Sequence, residues 1–507
     1  MLAELDRSMA QLQLPGFQKP YFIQYRIEDV DNFQTTASFG AVTGVQRDHQ
    51  RIARITVRVG DYKTDSSGGR GDSALQLSAL DDNPIAIRST LWNGTDQAYK
   101  AALASYAQKQ AALKQVQTPP QADDFSHEKP LISLSPPAQL QVEEKEWINR
   151  VALSTGLFRA EPTVSAAGND VQLCSGSFSG RVTTTYLVNS EGAIVRKTAS
   201  QYQQAFAVAA QAADGMKIER SFASSGPTLA SLDSEAAFNK HAAGEIASLT
   251  ELRNAPLVEE EYHGPVLLSN DAATDTLLAV IGASVSASRP ALGTEARTNG
   301  AFASSLHARV LPDFLSAIDD PSLKTWDGHA LIGAYYIDDE GVPAQPVQLI
   351  TEGKLENYLM SRDPIRDFPQ SNGHGRAGIT GPPSAAIGVL KFTARDGQSS
   401  AELNRQLLAL AKSRGLKSVY YVQTLGGPLN PRLLYKVSID GSRQLVRGAT
   451  LDDLDQRALR SSVVAAGKDL WVANYFGDIP QTALGPALLL DDITIKRANE
   501  KNDKLPF

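Results

Sequence analysis

Apolar residues return at every second position through three stretches near the start of the chain, YFIQYRIEDV (21–30), ASFGAVTGVQR (37–47) and RIARITVRVGDY (51–62). A period of two sends successive side chains to opposite faces, so each stretch is expected to be a strand with one face buried. Strands of that kind, following one another at close spacing, predict an antiparallel sheet rather than the buried parallel sheet of a doubly wound fold. TTTYLVNSEGAIVRK (183–197) repeats the pattern, with two strands around a Ser-Glu-Gly turn. Helices are expected between these strands. The chain opens on a short amphipathic one, and WNGTDQAYKAALASYAQKQAALKQVQ (92–117) is rich in Ala, Gln and Lys with no Gly or Pro after its start. QLQVEEKEWINRVALSTGLF (139–158) and SEAAFNKHAAGEIASLTELRNA (234–255) supply two more, and the Pro-rich segment 118–140 is a surface connector.

At 507 residues the chain exceeds what one hydrophobic core serves, since cores stop growing near roughly 250–300 residues. The pattern is interrupted near residues 250–262, where an acidic run with a proline, RNAPLVEEEYHG, intervenes. Two domains are therefore expected, 1–255 and 256–507. The second continues with the hairpin-like ALIGAYYIDDEGVPAQPVQLITEGKLENYLMS, a Gly-rich SNGHGRAGITGPP, a helix SAELNRQLLALAKSRGL and further strands. The fold class expected is α+β, with mostly antiparallel sheets and packed helices, and no repeat of 20–50 residues is visible.

Forty-nine Lys and Arg against 56 Asp and Glu give a net charge of −7, and the basic residues are scattered, so no stripe invites nucleic acid. No run of about 18 apolar residues points to a membrane partner. The start lacks a secretory signal, so the expected location is the cytoplasm, or the periplasm or exterior if a signal peptide was removed before residue 1. Cys174 is the single cysteine, which excludes an intrachain disulfide and a thiolate metal cluster. Arg70-Gly71-Asp72-Ser73 matches an adhesion tripeptide within a Gly/Ser-rich loop and is read as a coincidence of composition.

The seven histidines, His49, His127, His241, His263, His307, His329 and His374, include no pair at the i, i+4 spacing that lets one helix face hold zinc. His127-Glu128 lies in the Pro-rich connector and is read as surface loop. Cys174 sits in an expected strand with no local activating His, no G-x-S-x-G elbow is present, and the Gly-rich loop carries no phosphate-binding lysine. Two polar groupings remain. Asp319, Asp320, His329, Asp338, Asp339 and Glu340 could bind a hard cation through oxygen, although Asp-Asp-Glu-Gly is also ordinary hairpin-turn chemistry. His374 and Arg376 could hold the carboxylate end of a peptide, or could simply be solvent-facing loop residues.

Several motifs of the second half stand in a specific order: GPVLLSNDAATDTLLAVIGASVSASRP, LPDFLSAIDDPSLKTWDG, the DDEG hairpin, LI-x-x-G-x-L-x-x-Y-L, SNGHGRAG, LVRGATLDDLDQRALRSSVVAAGKDL and GPALLLDDITIK. Together they resemble the TldD/PmbA family, zinc metallopeptidases also described as modulators of DNA gyrase. The resemblance is clear over about residues 260–507 and extends to the first half in layout. It implies a site in which H-E-x-x-x-H on a helix supplies two zinc ligands and a general base, with a later Cys completing the set. Aligned on the family motif, this chain has Ala279 and Val280 in place of the His and Glu, Ser284 in place of the second His, and Phe476 near the Cys. The resemblance thus implies a degenerate member with no metal ligands at those positions and no cofactor, where active members hold zinc. Its expected role is that of a non-catalytic subunit in peptide processing or proteolysis, as a homo-oligomer or with a TldD/PmbA-family paralogue. Two alternatives remain open: an active metallopeptidase whose metal has moved to His329, Asp338, Asp339 and His374, with His307 also to be tested, or a peptide-binding module without catalysis.

Overall fold

A computed structural model describes residues 1–68, 73–159, 171–427 and 429–498. The Arg70-Gly71-Asp72 tripeptide lies outside the described residues. The period-two stretches form long strands: β1 (Pro20–Ser38), β2 (Ala41–Val59), β3 (Ser73–Leu77), β4 (Ile132–Leu134), β5 (Val171–Asn189), β6 (Ile194–Gln211) and β7 (Lys217–Gly226). They make one sheet in the order β3-β2-β1-β5-β6-β4, with β7 also pairing β6, and all its pairings are antiparallel except β4 with β6.

One expected strand is in fact a turn and two strand ends. Within ASFGAVTGVQR the chain reverses at Phe39 and Gly40, whose φ values of 51° and 83° are those of a tight hairpin turn. Positive φ at both positions gives such a turn the right-handed twist of the strands it joins, and Gly40 adopts it without strain. The apolar alternation runs through the turn, so period alone cannot locate it.

One face of this sheet is covered by α1 (Leu2–Gln11) and α2 (Pro84–Leu113), which pack on Ile23, Tyr25, Ile27, Ile55 and Val57. Helix α2 begins where Asn83 accepts hydrogen bonds from the amides of Ile85 and Ala86 and Pro84 fills a first-turn position needing no donor. Along β1 the alternate residues Gln24, Arg26 and Glu28 point the other way and are buried as well. Farther along, α3 (Glu144–Gly156) stacks Trp147 on Phe178, and α4 (Glu235–Asn254) buries Phe238, Ile246 and Leu249 against β6 and β7.

The second half is built on another sheet. Its strands are β8 (Tyr262–Leu268), β9 (Leu315–Asp319), β12 (Val347–Thr351), β13 (Lys354–Leu355), β16 (Val389–Ala394), β17 (Ser418–Leu425), β18 (Pro431–Ser438), β19 (Arg443–Val446), β20 (Ala449–Asp452), β21 (Val463–Tyr475) and β22 (Gln481–Arg497). Two small hairpin pairs stand apart, β10 (Thr325–Trp326) with β11 (His329–Ala330), and β14 (Gly375–Arg376) with β15 (Ser384–Ala385). The order β13-β12-β9-β16-β22-β8-β17-β18-β19 puts β22 in the middle, where it also pairs β20 and β21; only β16 with β22 and β8 with β17 run parallel. Central position explains composition: β8 and β22 read as near-continuous apolar runs because both faces are covered.

Helix α5 (Asn270–Leu277) lies across β22 at Gly485, where an added Cβ would stand 2.6 Å from Thr274 Oγ1. Only glycine admits that approach, and Thr274 donates a hydrogen bond to the Gly485 carbonyl. On the far face α6 (Ser400–Ser413), capped by Ser399 and Glu402, buries Leu403, Leu407 and Ala411. Helix α7 (Gln456–Ser461) precedes β21. The molecule is thus α+β with mostly antiparallel sheets.

Candidate functional site

Between the two sheets lies a cleft of about 450 Å³, within the range of small-molecule sites. Its floor is the polar face of the first sheet. Register fixes it: Glu28 on β1 stands opposite Thr185 on β5, which stands opposite Lys197 on β6. Thr185 donates to Glu28 at 2.7 Å, and Arg26 lies 3.2 Å from Glu28. Lys197 reaches across to the second half, donating to the carbonyls of Ile337 and Asp338 and to Asp339 Oδ1 at 2.7, 2.8 and 2.6 Å. Burial opposes ionisation of Asp339, but Lys197, Arg376 and Arg26 outweigh it and hold the carboxyl down at about 2.

The roof is the DDEG hairpin and the Gly-rich loop. Asp338 Oδ1 accepts from the amides of Glu340 and Val342, and Gly341 takes φ 83°, which is the turn chemistry rather than cation chemistry. Asp338 Oδ2 accepts from Gly375 N, and Asp339 Oδ2 from Ala377 N, so the hairpin carboxylates staple the loop. Burial, together with the neighbouring Asp338, pushes the Glu340 carboxyl up to about 8; burial likewise raises Asp338, to about 6. Arg26 in turn donates to the carbonyls of Gly378 and Gly381, and Arg54 to that of Thr380, tying the loop to the first sheet.

Of the five residues expected to form a site, Asp339 and Arg376 line the cleft. His374 is fully buried, with Nε2 3.2 Å from Asp319 Oδ1 and Nδ1 3.0 Å from Asn372 Oδ1, so it holds the loop to β9 and does not reach a ligand. Asp338 is buried in its turn, and His329 is exposed on the β10–β11 hairpin. Among the described residues no three His, Cys, Asp or Glu side chains come together so as to hold a metal, which corrects the relocated-metal alternative for His329, Asp338, Asp339 and His374. The oxygens of Asp338 and Asp339 are already spent on backbone amides and Lys197, and the ring nitrogens of His374 face Asn372 and Asp319. His307 is exposed and pairs with Glu356, and His127 is exposed beside Tyr62. Cys174 is no nucleophile: burial pushes its thiol up to about 12, and it donates to the Thr155 carbonyl.

The segment carrying Ala279, Val280 and Ser284 is helical but not uniformly so. After α5 it widens into a π turn at Leu278–Gly282 and ends in a short α-helical turn at Ala283–Val285. In an α-helix, residues five apart lie about 140° apart around the axis; a turn closed by i→i+5 hydrogen bonds brings them back toward one side. Ala279 is exposed, whereas Ser284 is buried, donating to the Val280 carbonyl and accepting from Gln456 Nε2 at 3.1 Å. One turn before Ala279, Asp275 accepts a 2.6 Å hydrogen bond from Tyr475, the neighbour of Phe476. Burial, with Asp275 adding to it, raises the nearby Asp271 carboxyl to about 6. The guanidinium of Arg181 lies 5.7 Å from the Phe476 ring.

Residues 260–497 match the model of the PmbA/TldA metallopeptidase C-terminal domain. This second half is a TldD/PmbA-family domain. Three solved structures share its fold along nearly their whole length. They are a candidate modulator of DNA gyrase from Thermotoga maritima (15% identity, TM-score 0.63, 94% of this chain and 96% of that one), TldE from Thermococcus kodakarensis (14%, 0.61, 94% and 96%) and a candidate DNA gyrase modulator from Bacteroides thetaiotaomicron (13%, 0.62, 98% and 98%). No curated protein matches the sequence. The family's description as a metallopeptidase raises the question of zinc, which requires N, S or O ligands within about 2.0–2.3 Å. Apolar Ala279, Val280 and Phe476 cannot ligate, a serine hydroxyl is a weak ligand, and no histidine lies between His263 and His307. As they stand, the side chains of Ala279, Val280, Ser284 and Phe476 offer no ligand set that fits zinc.

The sequence reading missed Lys197, Arg26, Glu28 and Tyr335. Alternation marks Arg26 and Glu28 as the polar face of β1, which would be solvated in a lone sheet. A sign was available in their density: three charged or amide side chains on successive outward positions, Gln24, Arg26 and Glu28, followed by the hydroxyl-rich outward face of β5.

Proposed function

We propose that this chain is a metal-free TldD/PmbA-type subunit that binds peptides in the cleft between its halves and contributes to peptide processing without supplying zinc chemistry. It works as an oligomer, with a second copy or with a family paralogue that carries an intact H-E-x-x-x-H. The carrying observation is the helical segment 270–285, which keeps its place against β22 and the end of β21 while presenting Ala279, Val280 and Ser284. Apolar and hydroxyl side chains at those positions, on a helix still packed against the sheet, support a binding or scaffolding role over hydrolysis at that site. No described helix is long and apolar enough to cross a membrane, in keeping with action on free peptides in the cytoplasm.

The test is metal content by mass spectrometry on protein purified without chelator, beside a peptidase assay with and without zinc, and size-exclusion with light scattering. Substoichiometric zinc, no chelator-sensitive cleavage and a dimer or mixed complex are expected. One zinc per chain with chelator-sensitive activity would overturn the reading, as would a strict monomer that captures no paralogue.

A further inference from the structure

The cleft's charges are mostly paired within the protein. Asp339 meets Lys197, Asp478 meets Arg181 at 2.7 Å, and Glu28 meets Arg26. Among the described residues lining the cleft, two cations are less fully matched. Lys324 is exposed at the rim with its ammonium 4.6 Å from the Tyr336 ring. Arg376 is more telling. Its side chain is 9% exposed, its guanidinium stacks 4.0 Å from the Tyr335 ring centre, and its nearest carboxylate, Asp339, is 3.6 Å from Nε. Nη1 is buried with no hydrogen-bond partner among the described residues. A buried charged donor left unmade is costly, more so than a neutral one. Stacking holds the guanidinium plane still, so its free N–H edge offers a fixed seat for an acceptor lying in that plane.

We infer that Arg376, with Lys324 at the rim, forms a carboxylate seat in the cleft that takes the free C-terminus of a peptide whose last side chain is apolar. The carboxylate supplies the in-plane acceptor that Nη1 lacks. The surplus of cations over unpaired anions selects a negative end over an amine. Leu331, Ile332 and Ala334, which line the same cleft, offer apolar surface to the terminal side chain, and the Thr183 hydroxyl offers a polar group to its backbone. This deepens the peptide-binding reading and rests on it, but makes a claim that reading does not need: recognition of the peptide's end.

Two probes decide it, acetyl-Ala-Ala-Leu with a free carboxylate and the same peptide as its C-terminal amide, titrated calorimetrically into the intact protein. The acid is expected to bind and the amide to bind roughly 10- to 100-fold more weakly, the scale of a charge-assisted hydrogen bond. Arg376→Lys keeps the charge without the fork and should lose most of that discrimination. Lys324→Ala, at an exposed position and therefore safe for folding, should weaken the acid a few-fold and flatten its salt dependence. Equal binding of acid and amide, or binding of neither, overturns the seat. Those results leave the zinc and assembly measurements untouched, so failure of the seat is separable from failure of the subunit reading.

Discussion

Replacing Lys197 by Met tests whether one cross-sheet lysine couples the two halves. Its Nζ makes three bonds to the DDEG hairpin, all at 2.6–2.8 Å, with the Lys197 side chain 21% and Asp339 11% exposed. Met keeps the aliphatic stem and removes only the ammonium. A charge-assisted bond contributes about 1.5–3 kcal/mol, and removing one partner of a buried pair costs about 3–5 kcal/mol. Arg376 and Arg26 still face Asp339, so the lower end applies and we expect about 3 kcal/mol of destabilisation. Asp339→Asn strands the lysine instead and should cost about 2–3 kcal/mol, its amide oxygen still accepting from Ala377 N. The double variant should lose about 3 kcal/mol, not the sum, because neither group is then left charged and alone. Urea unfolding followed by tryptophan fluorescence and far-UV circular dichroism measures all three. Single losses below about 1 kcal/mol, or additivity of the two, would refute the argument. The coupling has a pH signature too: without Lys197 the Asp339 carboxyl titrates closer to its ordinary 3.8, so less stability is lost as pH falls toward 2 than in the unaltered protein.

Other expectations follow from the same geometry. Asp339, held at about 2 against an ordinary 3.8, contributes stability above the ordinary value that is lost as pH falls toward 2. Glu340 has the opposite sign: raised from 4.5 to about 8, its contribution is whole below pH 4.5 and is lost as pH climbs toward 8. Scanning calorimetry from pH 4 to 9 should show that decline, and Glu340→Gln should flatten it; an unchanged slope sinks the assignment. His374→Ala leaves Asp319 with only the amides of Gly388 and Val389, so about 1–3 kcal/mol of stability should go while affinity for the cleft probe stays; lost affinity at full stability would make His374 a ligand-contacting residue after all. Gly333→Ala would put a Cβ 2.0 Å from the Gly388 carbonyl oxygen and 2.6 Å from Thr482 N, both backbone, and should cost about 3 kcal/mol of stability, read as a lowered thermal midpoint.

What was legible in the sequence was whatever one element shows alone. Period two located β1, β2, β5 and β6, composition located α2, and Asp-Asp-Glu-Gly announced a turn that the structure builds from Asp338 and Gly341. Glycine did not reveal the turn at Phe39–Gly40, because a two-residue reversal leaves alternation intact on both sides. The cleft was half visible. Asp339 and Arg376 drew notice as charged residues in a loop, but Lys197, Arg26 and Glu28 belong to it only because a second sheet settles on the polar face of the first. His374 misled for the complementary reason: a histidine among glycines reads as surface, and its burial depends on Asp319, 55 residues away.

The middle position of β22 sets a timetable. Strand β8 ends at residue 268 and its partner β22 starts at residue 481, 213 residues later. At about 5–20 residues per second of synthesis, β8 waits roughly 10–40 s on the ribosome for the strand that completes its sheet. The first sheet, finished at residue 226, can form meanwhile, and its polar face is then the only docked surface on offer to the emerging second half. Until β22 arrives, β8, β16 and β17 are apolar strands with open edges, the condition that invites chaperones or misassembly. A ribosome stalled within that interval would release a chain with one finished half and an aggregation-prone other.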